Sequence, residues 1–304
     1  MTPAPILLFV YNRPEHTRRL VESLQQNPPA AGSRLIIYSD AAKYAEERPA
    51  VIEVRKYIRT IAGFASVAVI EQTENKGLAQ SIITGVGKTL EEHDRVIVLE
   101  DDLVVAPHFL RFMNDALETY KDEPRVGHIH ACDFTQDPSL PDTFLIKWIG
   151  SWGWATWKRA WQHFNPDGKA LLAQLRERKL THAFDFNGSY GFTRMLRRQI
   201  AGKNNSWAIR WNASLFLENI LSLNAGKSLV RNEGFDGSGT HCGNDDGLYT
   251  SRLWIQPLPV EKISPVEENS AARDIYCDYY RCTNSFKAKV LRRIKKELRK
   301  IGVN

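Results

Sequence analysis

Three carboxylates, Glu100, Asp101 and Asp102, stand directly behind the apolar run Val96-Ile97-Val98-Leu99. A run rich in β-branched residues and bounded by charge reads as a strand buried on both faces. It would deliver the carboxylates at its carboxyl end, where ligands bind in open α/β sheets. Grouped carboxylates repel one another unless a cation or solvent screens them. Their hard oxygens suit Mg²⁺ or Mn²⁺, usually shared with a phosphorylated ligand. One reading of the triplet is therefore a metal–diphosphate site. The other is a solvated acidic turn, with Asp102 as the N-cap of the next helix.

The other early strands also end in polar residues. Asn12 and Arg13 follow Ile6-Leu7-Leu8-Phe9-Val10, and Asp40 follows Leu35-Ile36-Ile37-Tyr38. Glu74, Asn75, Lys76 and Gly77 follow Val67-Ala68-Val69-Ile70. In a parallel sheet these ends share one edge. An arginine and a lysine there could bind diphosphate charge, and an aspartate could accept from a base or ribose. Taken singly, Asn12 and Asp40 are equally good helix caps; taken together, the clusters favour a nucleotide pocket. In Gly150-Ser151-Trp152-Gly153-Trp154, Trp152 and Trp154 could lay indole faces against a sugar, with Gly153 allowing close approach. The alternative, core packing, is the reading for Trp157 and Trp161, spaced i and i+4. His241, on the glycine-rich segment 234–247, could complete a metal site, touch phosphate, or simply be solvated.

Elements to position these residues follow from periodicity. Pro14 suits a first helical turn, and Leu20, Val21 and Leu24 repeat at helical spacing. Further helices are predicted over 45–61, 77–90, 107–120, 169–178, 192–200 and 211–223. Strands joined by helices imply an α/β fold with a mostly parallel sheet. The pattern changes near residue 125, where tryptophan becomes dense, but no linker intervenes. The expected organisation is residues 1–125 as a nucleotide-binding half, 126–285 as a second half of the same domain that roofs the site, and a tail, 286–304.

The chain has 304 residues and a net charge of +6. Lys287, Lys289, Arg292, Arg293, Lys295, Lys296, Arg299 and Lys300 face only Glu297, so the tail is basic and the body nearly neutral. That distribution argues against a general nucleic-acid binder, which needs basic charge across its working surface. Val290, Leu291, Ile294, Leu298 and Ile301 alternate with the basic residues at helical spacing. The tail therefore reads as an amphipathic basic helix, either lying on an anionic membrane or docked on the body. No segment reaches transmembrane length and no leader is evident. Cys132, Cys242, Cys277 and Cys282 lack zinc-type spacing and suggest a reducing compartment, with no Cys277–Cys282 bridge expected.

The order Tyr11-Asn12-Arg13-Pro14, Asp40, Asn75-Lys76-Gly77-Leu78-Ala79, Glu100-Asp101-Asp102-Leu103 and Trp152-Gly153-Trp154 resembles GT-A-fold glycosyltransferases that use nucleotide sugars. It is similar to the N-acetylglucosaminyltransferase I group and to bacterial family 2-type sugar transferases, over about residues 5–160. The resemblance implies a metal-dependent, inverting transfer from a UDP-sugar such as UDP-GlcNAc. The acceptor would be a glycan or lipid-linked glycan in bacterial surface polysaccharide synthesis. Arg13 would lie near the diphosphate or base, and Asp40 near the uracil or ribose. Glu100 and Asp101 would contact sugar and ribose. Asp102 would coordinate Mn²⁺ or Mg²⁺, with His241 closing the metal site, and the tryptophan loop would line donor and acceptor. An inverting enzyme needs a carboxylate base, for which Asp133 and Glu218 are the candidates. The expected location is the cytoplasm, at the membrane face where the tail engages it. A sugar-phosphate nucleotidyltransferase is the first rival, but strand one lacks a glycine-rich loop. A non-catalytic carbohydrate-binding protein is the second.

Overall fold

Each apolar run of the first hundred residues becomes a strand. In the computed structural model, which describes residues 2–235 and 251–285, β1 (Ile6–Val10) leads to α1 (Pro14–Gln25). β2 (Arg34–Ser39), α2 (Arg48–Ile58), β3 (Ser66–Glu71), α3 (Leu78–Glu92) and β4 (Arg95–Glu100) follow. β5 (Leu103–Val105) is a short strand that periodicity missed, and it delays α4 (Phe109–Thr119). The cap of α4 is His108, so Asp102 caps no helix.

The second half departs further from expectation. β6 (Val126–His130), β7 (Thr143–Ile146) and β8 (Trp154–Trp157) precede five helices. These are α5 (Lys158–Trp161), α6 (Gly168–Glu177), α7 (Thr181–Phe184), α8 (Phe192–Ile200) and α9 (Trp207–Leu217). The helix expected to run to residue 223 stops early. Asn219 turns into the left-handed region at φ 58°, and the apolar residues beyond form β9 (Leu221–Ala225). β10 (Val230–Asn232) pairs with β5, and α10 (Ser270–Asn284), capped by the Asn269 side chain, closes the described chain. His241, Cys242 and the tail 286–304 lie outside the described residues. Cys132, Cys277 and Cys282 are free thiols. Among the described residues no helix is long and apolar enough to cross a membrane.

One eight-stranded sheet has the order β3-β2-β1-β4-β8-β6-β9-β7. The pairs β3–β2, β2–β1, β1–β4 and β6–β9 are parallel; β8 runs antiparallel between β4 and β6, and β7 is antiparallel to β9. Alternation on β1 splits the core. Ile6, Leu8 and Val10 meet Leu20 and Leu24 of α1 and Phe112 of α4 in one cluster. Leu7 and Phe9 meet Ile82 and Val86 of α3 and Trp211 of α9 in another. A third cluster joins α6 to α10 and includes Leu196, Phe216 and Tyr276.

Candidate active site

The chain steps outward from β1 to β2 and β3, then returns to the other side of β1 at β4. Parallel neighbours whose connections leave in opposite directions open a crevice at their carboxyl ends. Register places Phe9 beside Glu100 there. Arg13, just after β1, reaches across to the residues just after β4. Its guanidinium donates to Asp101 Oδ1 and, at 3.3 Å, to Asp102 Oδ2. Asp101 Oδ2 also accepts from the Tyr11 backbone N–H at 3.1 Å. A cavity of about 1410 Å³ opens over this point. Its lining brings together Asn12, Arg13, Asp40, Asn75, Gly77, Glu100, Asp101, Asp102 and Trp152.

Asp40 and Asn12 are spent on loops rather than on helix caps. Asp40 Oδ1 accepts from the N–H groups of Ala41 and Lys76, both at 2.9 Å, and Oδ2 from Gly77 N–H at 2.8 Å. The carboxylate thus pins the β3–α3 loop to the end of β2. Gly77, at φ 74° and ψ 154°, has a conformation that costs a residue with a Cβ about 1–3 kcal/mol. The Lys76 side chain does not line the cavity; its ammonium pairs with Glu74 in solvent, and only its backbone serves the site. Asn12 donates to Glu47 Oε1 at 3.3 Å.

Glu47 and Arg55 are site residues that sequence reasoning missed. Glu47 accepts from the Tyr11 hydroxyl and from the Lys43 and Tyr44 N–H groups, and it lines the cavity. Burial, then the Glu47 hydrogen bond, pushes the Tyr11 phenol up to about 12. Arg55 donates to the carbonyls of Ser39, Asp40 and Gln72, tying the ends of β2 and β3. Neither residue sits in a recognisable motif; both lie in a charged, helix-like stretch that reads as surface.

The electrostatics of the triplet are those of an uncompensated cluster. Burial, then the Asp102 and Asp101 charges, raises the Glu100 carboxyl well above its usual range. No protein donor among the described residues reaches it. Burial raises Asp101 to about 6 even against the pull of Arg13, with Asp102 adding to the rise. Burial alone would lower Arg13; the two aspartates overcome it and hold the guanidinium above its ordinary value. Asp102 is buried, and among the described residues its Oδ1 has no hydrogen-bond partner. Such an orphaned carboxylate oxygen costs about 1–3 kcal/mol or more unless something binds it. Among the described residues no three His, Cys, Asp or Glu side chains form a metal cage. One free carboxylate oxygen beside a nucleotide-sized cavity fits Mg²⁺ or Mn²⁺, which take few protein ligands and share the rest with phosphate and water. Gly234 backs this aspartate closely: a Cβ there would stand 2.6 Å from Asp102 Oδ2 and 3.2 Å from Arg13 Nη1.

Four expected site residues lie elsewhere. Trp154 is 0% exposed, stacked on Trp207 at 4.9 Å and on His128 at 5.3 Å, so it packs the core and faces no sugar. Gly153 takes φ 64°, and a Cβ would meet Val230 at 2.6 Å and Phe109 at 3.1 Å; it serves packing. Asp133 is buried away from the cavity, accepting from Thr135 N–H and Oγ1, Gln136 N–H and the Tyr276 hydroxyl. It organises its own turn. Glu218 is exposed at the C-terminal end of α9, whose N-terminal Trp207 lines the cavity, so the helix length of roughly 16 Å separates them. The remaining tryptophan of the pair, Trp152, does line the cavity.

The cavity continues beyond the triplet. Its far wall comes from the α7–α8 loop, α8, the residues before α9 and the end of α10, including Asp185, Tyr190, Arg194, Arg198, Asn205 and Arg281. Asp185 Oδ1 accepts a single backbone bond, from Thr193 N–H at 2.6 Å.

The model of glycosyl transferase family 2 matches residues 6–200, well over half of the chain. Among solved structures, the chain is similar to a mannosyltransferase from Pyrobaculum calidifontis in complex with GDP-Man and Mn²⁺. That likeness has 13% identity, covers 71% of each chain and has a TM-score of 0.42. Mouse xyloside xylosyltransferase 1 is similar at 12% identity, over 62% of this chain and 76% of that one, with a TM-score of 0.37. No curated protein matches. The extent of the family match, set on this sheet, makes the protein a nucleotide-sugar glycosyltransferase of GT-A fold that belongs to glycosyl transferase family 2.

Proposed function

We propose that the protein transfers a sugar from a UDP-sugar, with inversion, to a glycan or lipid-linked acceptor of the kind used in bacterial surface polysaccharide synthesis. The near half of the cavity takes the donor. Asp40 and Asn12 lie where a base or ribose would be read, with Gly77 and the Lys76 backbone held beside them. Glu100 and Asp101 face the ribose and sugar, Trp152 flanks the sugar, and Arg13 serves the diphosphate. Asp102 would hold Mn²⁺ or Mg²⁺, which when bound would supply positive charge against that of the diphosphate. The observation that carries this reading is the buried Oδ1 of Asp102 at the switch point of the sheet, unpartnered among the described residues.

The far half takes the acceptor, and there Asp185 replaces Asp133 and Glu218 as the proposed base. Of the lining carboxylates, Asp40 and Glu47 are saturated by hydrogen bonds, and the triplet belongs to the donor side. Among the described residues, Asp185 keeps one oxygen without a hydrogen-bond partner on the acceptor wall. It would take the proton of the acceptor hydroxyl as that oxygen attacks the anomeric carbon, while the bond to the diphosphate breaks. UDP release from UDP-sugars with and without Mn²⁺ tests the reading. Mn²⁺-dependent turnover is expected, lost in Asp102→Ala at an unchanged melting temperature. Undiminished Mn²⁺-stimulated turnover in that variant sinks the assignment.

A further inference from the structure

The two halves of the cavity carry opposite charge. Asp40, Glu47, Glu100, Asp101 and Asp102 outnumber Arg13 and Lys43 on the near side. On the far side the charged residues are Arg194, Arg198 and Arg281 against Asp185 alone. Arg194 and Arg198 stand four residues apart on α8, so they share one face, one turn above the other. Among the described residues neither guanidinium forms an ion pair or a hydrogen bond. Several other arginines, Arg13, Arg55, Arg95, Arg125 and Arg273, hold carboxylates. Arg281 faces the same space from α10 and keeps Asp278 at 2.8 Å.

Two adjacent guanidinium groups repel each other, as do like charges on any helix face. On an open surface, water and salt absorb that cost. Arg194 and Arg198 are exposed, but both line the concave wall of the cavity, where such a pair raises the local potential and draws in oxyanions. Guanidinium forks suit carboxylate and phosphate groups, which they bind in a bidentate manner. The half-buried Tyr190 also lines this half of the cavity, with its ring packed against Phe192 and Tyr280 at 4.5 Å.

We infer that the far half of the cavity selects an acceptor carrying an anionic group next to its sugar, held by Arg194 and Arg198. This rests on the reading of the near half as the donor site. The oxyanion could be the phosphate of a phosphorylated carrier or the carboxylate of an acidic sugar, and both present the same chemistry to the arginine pair.

Calorimetric titration of the full-length protein, with the donor end filled by UDP and Mn²⁺, tests it. The probes are N-acetylglucosamine 1-phosphate and glucuronic acid, each against its neutral methyl glycoside counterpart. At low salt at least one charged probe is expected to bind about tenfold or more tightly than its neutral partner. That advantage should shrink as salt rises and vanish in Arg194→Gln/Arg198→Gln, with UDP affinity unchanged. Preference for the phosphate indicates a phosphorylated carrier; preference for glucuronic acid indicates an acidic glycan. Equal binding of charged and neutral probes, no measurable binding of either charged probe, or an advantage that survives the double substitution overturns the inference. So does a double variant that loses UDP instead, because the arginines then serve the donor. Failure of the wild-type protein to bind UDP would strike the donor reading alone, since the charged and neutral probes can be compared without UDP.

Discussion

His130 makes the stability of this enzyme depend on pH in a way that can be isolated. It sits in β6, fully buried, with its ring against Gly150, where a Cβ would lie 2.2 Å from it, and Nδ1 3.2 Å from Asn224 Oδ1. Burial lowers its pKa from 6.5 to about 4, against a modest upward pull from Asn224. The unfolded chain therefore takes up a proton near 6.5 while the folded protein does not until about 4. Stability from this group is complete above 6.5 and drains away as pH falls toward 4. Between pH 8 and 4.5 the linkage amounts to about 2.5 kcal/mol. Asp101, raised to about 6, works in the opposite direction in the same window, because the folded form gains its proton first. The wild-type curve alone is thus a sum of opposed effects. The difference between wild type and His130→Gln removes the carboxylates. Urea unfolding of both proteins across this range should show the variant less stable at pH 8 by a fixed packing loss. That gap should then close by about 2.5 kcal/mol at pH 4.5. Parallel curves would refute the argument, and would mean that the imidazole is wetted or already charged.

Three further outcomes bear on the site. Gly234→Ala should push Asp102 and Arg13 aside and weaken apparent Mn²⁺ affinity in the turnover assay by about 10–100-fold, as loss of support behind a metal ligand does. Unchanged Mn²⁺ dependence would show that the aspartate tolerates the crowding. Asp185→Asn should slow transfer by about 10²–10⁴-fold with UDP affinity intact. Asp133→Asn should lower the melting temperature and leave turnover per folded molecule near normal. Near-normal transfer by Asp185→Asn would remove that residue as the base.

How much could be read beforehand depended on which forces wrote each segment. The strands β1 to β4 are apolar runs between polar ends, and the site residues at those ends were legible because topology alone brings such ends together. The strands β6 to β9 were not. His128, His130, Ser222 and Asn224 are buried in them and break the hydrophobic pattern, being satisfied by backbone carbonyls and side chains that periodicity cannot see. His128, for instance, accepts from the Trp211 indole at 3.2 Å. Trp154 was misread because glycines beside a tryptophan look alike whether they admit a sugar or another side chain. Gly150 and Gly153 admit His130 and Val230. Asp133 has the composition of a base and the hydrogen bonds of a turn. Glu47 and the α8 arginines carried no local signal, since only the fold turns those surfaces inward.

Strand β8 has a temporal consequence. It pairs with β4 on the side away from β1, matching Val96 with Thr156 and Val98 with Trp154. On a ribosome, β4 emerges nearly sixty residues before β8 does. At about 5–20 residues per second, that edge stays open for roughly 3–12 s. An unpaired apolar edge is a template for pairing with the wrong chain. The nascent protein is therefore most exposed to misassembly midway through its synthesis, when β1 to β4 have formed but their sheet has not been closed. For the same reason, a gene cut near residue 125 would yield a fragment with a raw edge and not a small stable enzyme half.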